Sequence, residues 1–201
     1  GSFALAVWSD DTGGDHGAPI EYDYALVGAI GSPSGASWGP TVTIVPWSPS
    51  EPLVDNIPSP NGAIVQHPVT GAWIVAYWKQ HTATAAENEV AWVSGTASSG
   101  GFSFGAEVPL TADSVEDGPP IVCESASGDV AVFWTRRVGG ADHELMAAVW
   151  DTSLAAFDSP LQLTDDGVDQ VLRTVSPGEG GWHVVHTEVP SGEIDEELYL
   201  A

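Results

Sequence analysis

The sequence predicts an all-β fold built from a repeated unit of four short antiparallel strands. Stretches rich in Val and aromatic residues, with apolar side chains at period two, recur along the chain. Turn-forming residues separate these stretches, and the chain is rich in them, with 23 Gly and 15 Pro. No segment of useful length has the 3.6-residue period of a helix. These three observations together favour strands throughout.

Four kinds of strand, here named a to d, follow one another in a fixed order. Strand b is predicted four times, at 3–11, 72–80, 129–137 and 181–189. Strand c follows it at 21–30, 87–95, 143–150 and 196–201, and strand d at 38–45, 104–111 and 157–164. Strand a precedes strand b at 62–68, 119–125 and 171–177. In strand b, the alignment places Trp8, Trp78, Trp134 and His186 at one position. A four-stranded unit every ~50 to 70 residues is typical of β-propeller blades.

The repeat predicts a single propeller-like domain or fragment. Its blade repeats cover about 1–61, 62–117, 118–169 and 170–201. The two middle repeats are full blades and the outer two are partial, because the sequence begins with a strand b and ends with a strand c. Open strand edges pair readily with other strands. We therefore expect self-association, or further blades, at the incomplete ends.

The charge of the chain excludes several classes of partner. Against 28 Asp and Glu there are only four Lys and Arg, which gives a formal net charge of −24. Nucleic acids and anionic lipids need a basic face, so neither is expected as a partner. No apolar run approaches the ~20 residues of a membrane-spanning helix. An acidic surface almost without Lys suits a salt-adapted protein that is extracellular or on the cell surface.

The turns between strands c and d carry a family resemblance. They contain GASW (35–38), GFSF (101–104) and the weaker LAAF (154–157). These turns resemble degenerate Asp-boxes, Ser-x-Asp-x-Gly-x-Thr/Ser-Trp, of the sialidase type of propeller, with Pro33, Ser99 and Thr152 in place of the Asp. The resemblance implies a propeller fold. In that family the box supports the architecture and lies far from the ligand.

Sialidase activity would need further residues. The resemblance implies three converging Arg, an Asp acid, and a Tyr nucleophile paired with Glu. Tyr199 and Glu197 are the only obvious Tyr/Glu pair, and they lie on a strand c rather than an inner strand. Arg136 and Arg137 are adjacent, so on a strand they point to opposite faces. We therefore do not expect sialidase activity from this chain alone.

All four cations are predicted on one side of the molecule. Lys79, Arg136 and Arg137 begin the loops between strands b and c, and Arg173 lies on a strand a near the same side. One interpretation is that they offset the acidic loops at 113–118 and 165–170. The other is a pocket for a carboxylate or sulfate, to which at most one of Arg136 and Arg137 would point.

Other loop residues on the same side are candidate ligands. His81 and His143 are added to the candidate ligand-binding residues. Asp10, Asp11 and Asp15 offer several oxygens close together, as Ca²⁺ prefers, although a solvated acidic loop is the simpler explanation. Calcium is the one cofactor that the sequence suggests. Four Trp outside the repeated position are candidates for packing or for sugar stacking: Trp47, Trp73, Trp92 and Trp150.

The sequence thus favours a non-catalytic, extracellular ligand-binding or adhesion module. Its ligand would be a glycan or another acidic molecule on the face with the b–c and d–a loops. Two alternatives stay open. One is a segment of a sialidase-like glycoside hydrolase. The other is a structural unit that completes blades between chains.

Overall fold

The chain folds into small antiparallel β-sheets. The computed structural model describes residues 3–11, 24–46, 64–80, 88–138, 142–189 and 197–200. Every regular element in this part of the chain is a strand, which confirms the all-β prediction. Nowhere in it is there a helix with the length and hydropathy needed to cross a membrane.

The strands belong to four sheets that follow one another along the chain. Sheet 1 contains β1 (Ala4–Asp11), β2 (Tyr24–Gly31) and β3 (Val42–Val45). Sheet 2 contains β4 (Ile64–Gln66), β5 (Trp73–Gln80), β6 (Asn88–Ser98), β7 (Gly101–Phe104) and β8 (Val108–Pro109). Sheet 3 contains β9 (Ile121–Glu124), β10 (Val130–Arg137), β11 (His143–Asp151), β12 (Ala156–Phe157) and β13 (Leu161–Gln162). Sheet 4 contains β14 (Asp169–Gly178), β15 (Gly181–Val189) and β16 (Glu197–Leu200).

Within each sheet the strands lie in the predicted order. Sheets 2 and 3 show the full order a, b, c, d, with strand d divided into two short pieces that both pair with strand c. Among the described residues, sheet 1 has strands b, c and d, and sheet 4 has strands a, b and c. Because sequential strands are joined by turns, each pairs with its neighbour along the chain.

Consecutive sheets pack face to face. Leu26 of sheet 1 packs with Val75 and Tyr77 of sheet 2. The opposite face of sheet 2 packs on sheet 3 through a second cluster, which is centred on the fully buried Trp134. A third cluster joins sheets 3 and 4. Strand β10 is therefore buried on both faces, with alternate side chains directed at the sheets on either side.

One predicted equivalence is wrong by one residue. Tyr77 faces the preceding sheet, as Trp134 does, so Tyr77 and not Trp78 corresponds to Trp134. The cause is the turn before strand b. His67 N donates to Ala72 O in sheet 2, whereas Ser125 N donates to Asp129 O in sheet 3, across a turn one residue shorter. The corrected alignment makes Lys79 and Arg136 equivalent, each directly opposite a Glu of strand c.

Candidate functional site

The cations of the chain lie at one end of the sheets, where strands b end and strands c begin. Lys79 and Arg136 pair across the strands with Glu89 and Glu144 respectively. Arg137 follows Arg136 at the end of β10. Arg173 lies at a register irregularity of β14, and its Nε donates to Thr187 Oγ1 at 3.1 Å, near the end of β15. We call this end of the molecule the ion-pair end.

Three of these cations contact carboxylates. Arg136 contacts Asp113, and its Nη1 lies 3.5 Å from Asp117 Oδ1. Arg137 pairs with Glu116 in the same loop. The geometry therefore corresponds to the first interpretation, in which Arg136 and Arg137 offset the acidic loop at 113–118. An anionic ligand would meet a carboxylate at each of these cations.

Lys79 belongs to a separate cluster that the sequence did not reveal. Both Lys79 and Tyr77 contact the carboxylate of Glu107, which lies between β7 and β8. Lys79 and Tyr77 are buried between sheets 1 and 2. Tyr77 and Glu107 thus form a Tyr/Glu contact that the sequence did not predict. For the predicted pair, Tyr199 and Glu197, only the backbone is described, so their contact stays a prediction. The fully buried Tyr77 side chain packs in the core between sheets 1 and 2.

The acidic loop at 113–118 is hydrogen-bonded to both neighbouring sheets. Asp113 N donates to Glu89 Oε1 at 2.8 Å, and Asp117 N donates to Asn88 O at 2.8 Å. On the other side, Arg137 N donates to Glu116 O at 2.9 Å. With this many backbone groups paired, the loop presents its side chains in a fixed arrangement.

Asp117 is the most deeply buried carboxyl group of this loop. Its side chain is fully buried, and Trp134 Nε1 donates to its Oδ1 at 2.8 Å. Burial raises the pKa of Asp117 to about 7, against the opposing effects of a hydrogen bond from Thr111, the charge of Arg136 and the Trp134 bond. The nearby Glu89 carboxylate raises this pKa further. The Asp117 carboxyl therefore keeps its proton up to about neutral pH.

The next repeat supports this assignment. In sheet 3, the backbone of Asp117 forms a β-bridge with Arg136 of strand b. In sheet 4, Gln170 lies opposite Glu188 of strand b in the equivalent place, and Gln170 is also buried. A neutral amide thus occupies the position of Asp117 in sheet 4. Glu144 repeats the role of Glu89, because its carboxylate accepts from Thr164 Oγ1 at 2.6 Å and from Gly167 N at 3.3 Å.

The predicted histidine and calcium ligands fall only partly within the described residues. His143 Nδ1 lies 2.8 Å from Asp169 Oδ1, and its backbone N donates to the same oxygen. Asp10 is exposed on β1, Asp11 is described by its backbone only, and Asp15 and His81 lie outside the described residues. Over the ranges that the structure describes, no three His, Cys, Asp or Glu side chains are grouped to hold a metal ion.

The site contains residues that the sequence analysis missed. Glu89, Asp117 and Glu107 were not singled out, although two of them are buried. A signal was present for Glu89, because N-E-V (88–90) and H-E-L (143–145) begin two successive strands c. An acidic residue repeated opposite a cation on the paired strand indicates a cross-strand pair.

Alanine in place of Arg136 is expected to destabilise the fold more than alanine in place of Arg137. The Arg136 side chain is 15% exposed and contacts two carboxylates, whereas that of Arg137 is 43% exposed and contacts one. We expect a loss of about 2 kcal/mol for R136A and about 0–1 kcal/mol for R137A. Urea unfolding at pH 7 measures both. Equal losses would mean that the two ion pairs are equally screened.

Comparison with known proteins gives a distant structural similarity and no match to a family model or a curated protein. The chain is similar to the solved structure of an endo-arabinase from Bacteroides thetaiotaomicron VPI-5482, with a TM-score of 0.44 and 15% sequence identity. The similarity covers 89% of this chain and 70% of the endo-arabinase chain. It assigns no role to any residue of this chain.

Proposed function

We propose that the chain is a non-catalytic, extracellular binding module made of propeller-type blades, and that it binds a glycan at the ion-pair end. The observation that carries this proposal is a pair of ion pairs between the end of β10 and one ordered loop. Arg136 contacts Asp113 of the loop, and Arg137 contacts Glu116 of the same loop. Together they offer fixed donors and acceptors at a surface.

The chemistry of these pairs suits hydroxyl groups. A hydroxyl donates one hydrogen bond and accepts others, so it can join the donor and the acceptor of one ion pair. Asp113, Arg137 and Glu116 are 49%, 43% and 27% exposed at their side chains and can be reached from solvent. Hydrogen bonds that involve a charged partner are the stronger ones.

A neutral glycan suits this end better than an acidic ligand. Arg136 and Arg137 each already have a carboxylate partner on the loop, which an incoming anion would have to displace. The net charge of −24 also opposes the approach of an anion. We therefore place neutral sugars ahead of the carboxylate or sulfate ligands that the sequence alone suggested.

A glycan array that contains neutral and sialylated glycans, probed with and without Ca²⁺, tests this proposal. We expect neutral glycans to be bound, and E116Q/R137Q to lose at least about tenfold in affinity while remaining folded. Glu179→Gln, an exposed change in the turn at the other end of sheet 4, is the matched control and should bind normally. Unchanged binding by E116Q/R137Q would contradict the proposed site.

One observation favours the alternative of a glycoside hydrolase. Asp117, whose pKa burial raises to about 7, lies near a second buried carboxyl group, Glu89, and glycosidases use a pair of carboxyl groups. Both side chains are buried and tie the loop to its neighbours, so we assign them a structural role. Turnover of a fluorogenic sialoside or of a neutral aryl glycoside, abolished in D117N but not in Glu179→Gln, would replace our proposal by this alternative.

A further inference from the structure

A cleft lies at the opposite end of the molecule from the ion pairs, between sheets 1 and 2. It has a volume of about 530 Å³ and lies where strands c turn into strands d. Its walls include the rings of Phe3 and Trp38 and the serines at positions 32, 37 and 99. We call it the Trp38 cleft. It shares no residue with the ion-pair end.

Trp38 is a fixed and exposed aromatic surface. Its side chain is 48% exposed, while a Cβ on Gly31 would lie only 2.7 Å from the indole ring. The ring therefore packs closely on the Gly31 backbone, which any larger residue would prevent. The turn beneath it is held by Ser32 N donating to Ser37 O at 2.9 Å and by Gly39 N donating to Ile30 O at 2.7 Å.

The equivalent aromatic residues of the next two sheets are used differently. Phe157 packs edge-on against Trp92 and Trp150, with ring centroids 5.7 and 5.1 Å away. Phe104 packs against the cluster between sheets 1 and 2. Trp92 and Trp150 are themselves buried, so these two predicted sugar platforms are core residues. Of the three aromatic residues that end the degenerate boxes, Trp38 is the one that faces solvent.

The cleft is formed by uncharged parts of a very acidic chain. No Asp, Glu, Lys, Arg or His occurs from Tyr24 to Ser50, or from Val90 to Ala106. These two segments meet in the structure, since Ser99 lines the cleft together with Trp38. The segments are instead rich in Ser, Thr and Gly. Such a surface offers hydroxyl and backbone hydrogen bonds without favouring either sign of charge.

We propose that the Trp38 cleft binds a neutral sugar ring. The C–H face of the sugar stacks on the exposed side of the indole, whose π face carries partial negative charge. The sugar hydroxyls bond to the serine hydroxyls and to backbone groups of the two turns. An apolar aromatic wall with a few convergent polar groups is the usual composition of a small-molecule site. This site is independent of the ligand proposed for the ion-pair end.

Titration of the whole chain with three neutral hexasaccharides, maltohexaose, cellohexaose and xylohexaose, tests the proposal. Calorimetry and intrinsic Trp fluorescence are the readouts. We expect at least one probe to bind with a Kd on the order of 0.1–1 mM, and W38A to weaken that binding at least about tenfold. W38F keeps a stacking ring and should stay within about threefold of the parent. Leu154→Ala, at another exposed apolar side chain of a c–d turn, is the control and should bind normally.

A second variant keeps the test decisive if W38A does not fold. Ser99→Leu removes a hydroxyl of the cleft and places a bulky side chain at its exposed edge without changing Trp38, so it should weaken binding of the neutral probe. The absence of binding by all three probes, or equal affinity of W38A and the parent, would overturn the proposal. Self-association that is lost in W38A, with no sugar bound, would overturn it too and assign the surface to a second copy. Loss of binding in E116Q/R137Q alone would refute this cleft and leave the ion-pair end in place.

Discussion

Asparagine in place of Asp117 is expected to stabilise the fold at pH 8 and to flatten the fall in stability between pH 4 and 7. The pKa of Asp117 is raised from 3.8 to about 7 by burial, so between these values the folded chain holds a proton that the unfolded chain has released. The free energy of unfolding of the parent chain is therefore highest, as far as Asp117 is concerned, below about pH 4. It falls as the pH rises from 4 to 7, and this contribution of the Asp117 proton is lost above pH 7. The slope approaches about 1.4 kcal/mol per pH unit for one proton.

Urea unfolding of the parent chain and of D117N, in steps from pH 4 to pH 8, measures this difference. Asn keeps an oxygen that can accept from Trp134 Nε1, so the buried indole N–H stays paired in D117N. Glu89 and Arg136 act electrostatically on Asp117 and are present in both proteins, so the comparison isolates the replacement of Asp117 itself. Parallel pH profiles would show that Asp117 is charged in the folded chain.

Alanine at the same position is the control for packing and hydrogen bonding. D117A removes the acceptor of a buried indole N–H, which costs about 1–3 kcal/mol whatever the pH. We therefore expect D117A to be less stable than D117N at every pH tested. The neutral Gln170 at the equivalent position of sheet 4 indicates that an amide is compatible with this place in the fold.

Alanine in place of Gly95 is expected to destabilise the fold by about 3 kcal/mol or more. Gly95 lies in β6, opposite Phe104 of β7. A Cβ at this position would lie 2.1 Å from Ser103 O and 2.7 Å from Phe104 Cα. Both are backbone atoms, so relief requires β7 to move away from β6 and to lose ladder hydrogen bonds. Thermal and urea unfolding of G95A measure the loss.

Gly100 provides a matched control in the same hairpin. Its nearest contact for an added Cβ is Ser98 Oγ at 3.7 Å, which is ordinary van der Waals separation, and the residue is exposed. We expect G100A to change stability by less than about 0.5 kcal/mol. A stable G95A, or a G100A that is equally unstable, would show that the close approach of β7 to β6 does not limit this position.

Strands and their order could be predicted from the sequence because their signals are local. Alternation at period two marks strands such as β5 and β10, and Gly-containing turns mark where the chain reverses. A repeated order of such strands leaves few ways to pair them, since neighbours along the chain pair first. Placement of Lys79, Arg136 and Arg137 at one end followed from strand direction alone, and the structure has them there.

Partners across space required the tertiary structure. A turn one residue longer before β5 shifts Tyr77 into the position of Trp134, and no local pattern reveals that shift because both Tyr77 and Trp78 are aromatic. The carboxylates that pair with the cations come from segments such as Glu107 and Asp113, more than twenty residues away along the chain. Which carboxylate pairs with which cation depends on which side chains come within contact distance when the sheets pack.

The sequence by itself determined that this chain is a repeat of antiparallel sheets with its few cations at one end. Only the tertiary structure decided that Asp117 is buried, with a raised pKa, while Asp113 is exposed, and that Trp38 faces solvent while Phe157 packs in a core. Both differences arise between residues of similar sequence context. Burial depends on what the neighbouring sheet places against a residue, and that is a property of packing that strand periodicity does not contain.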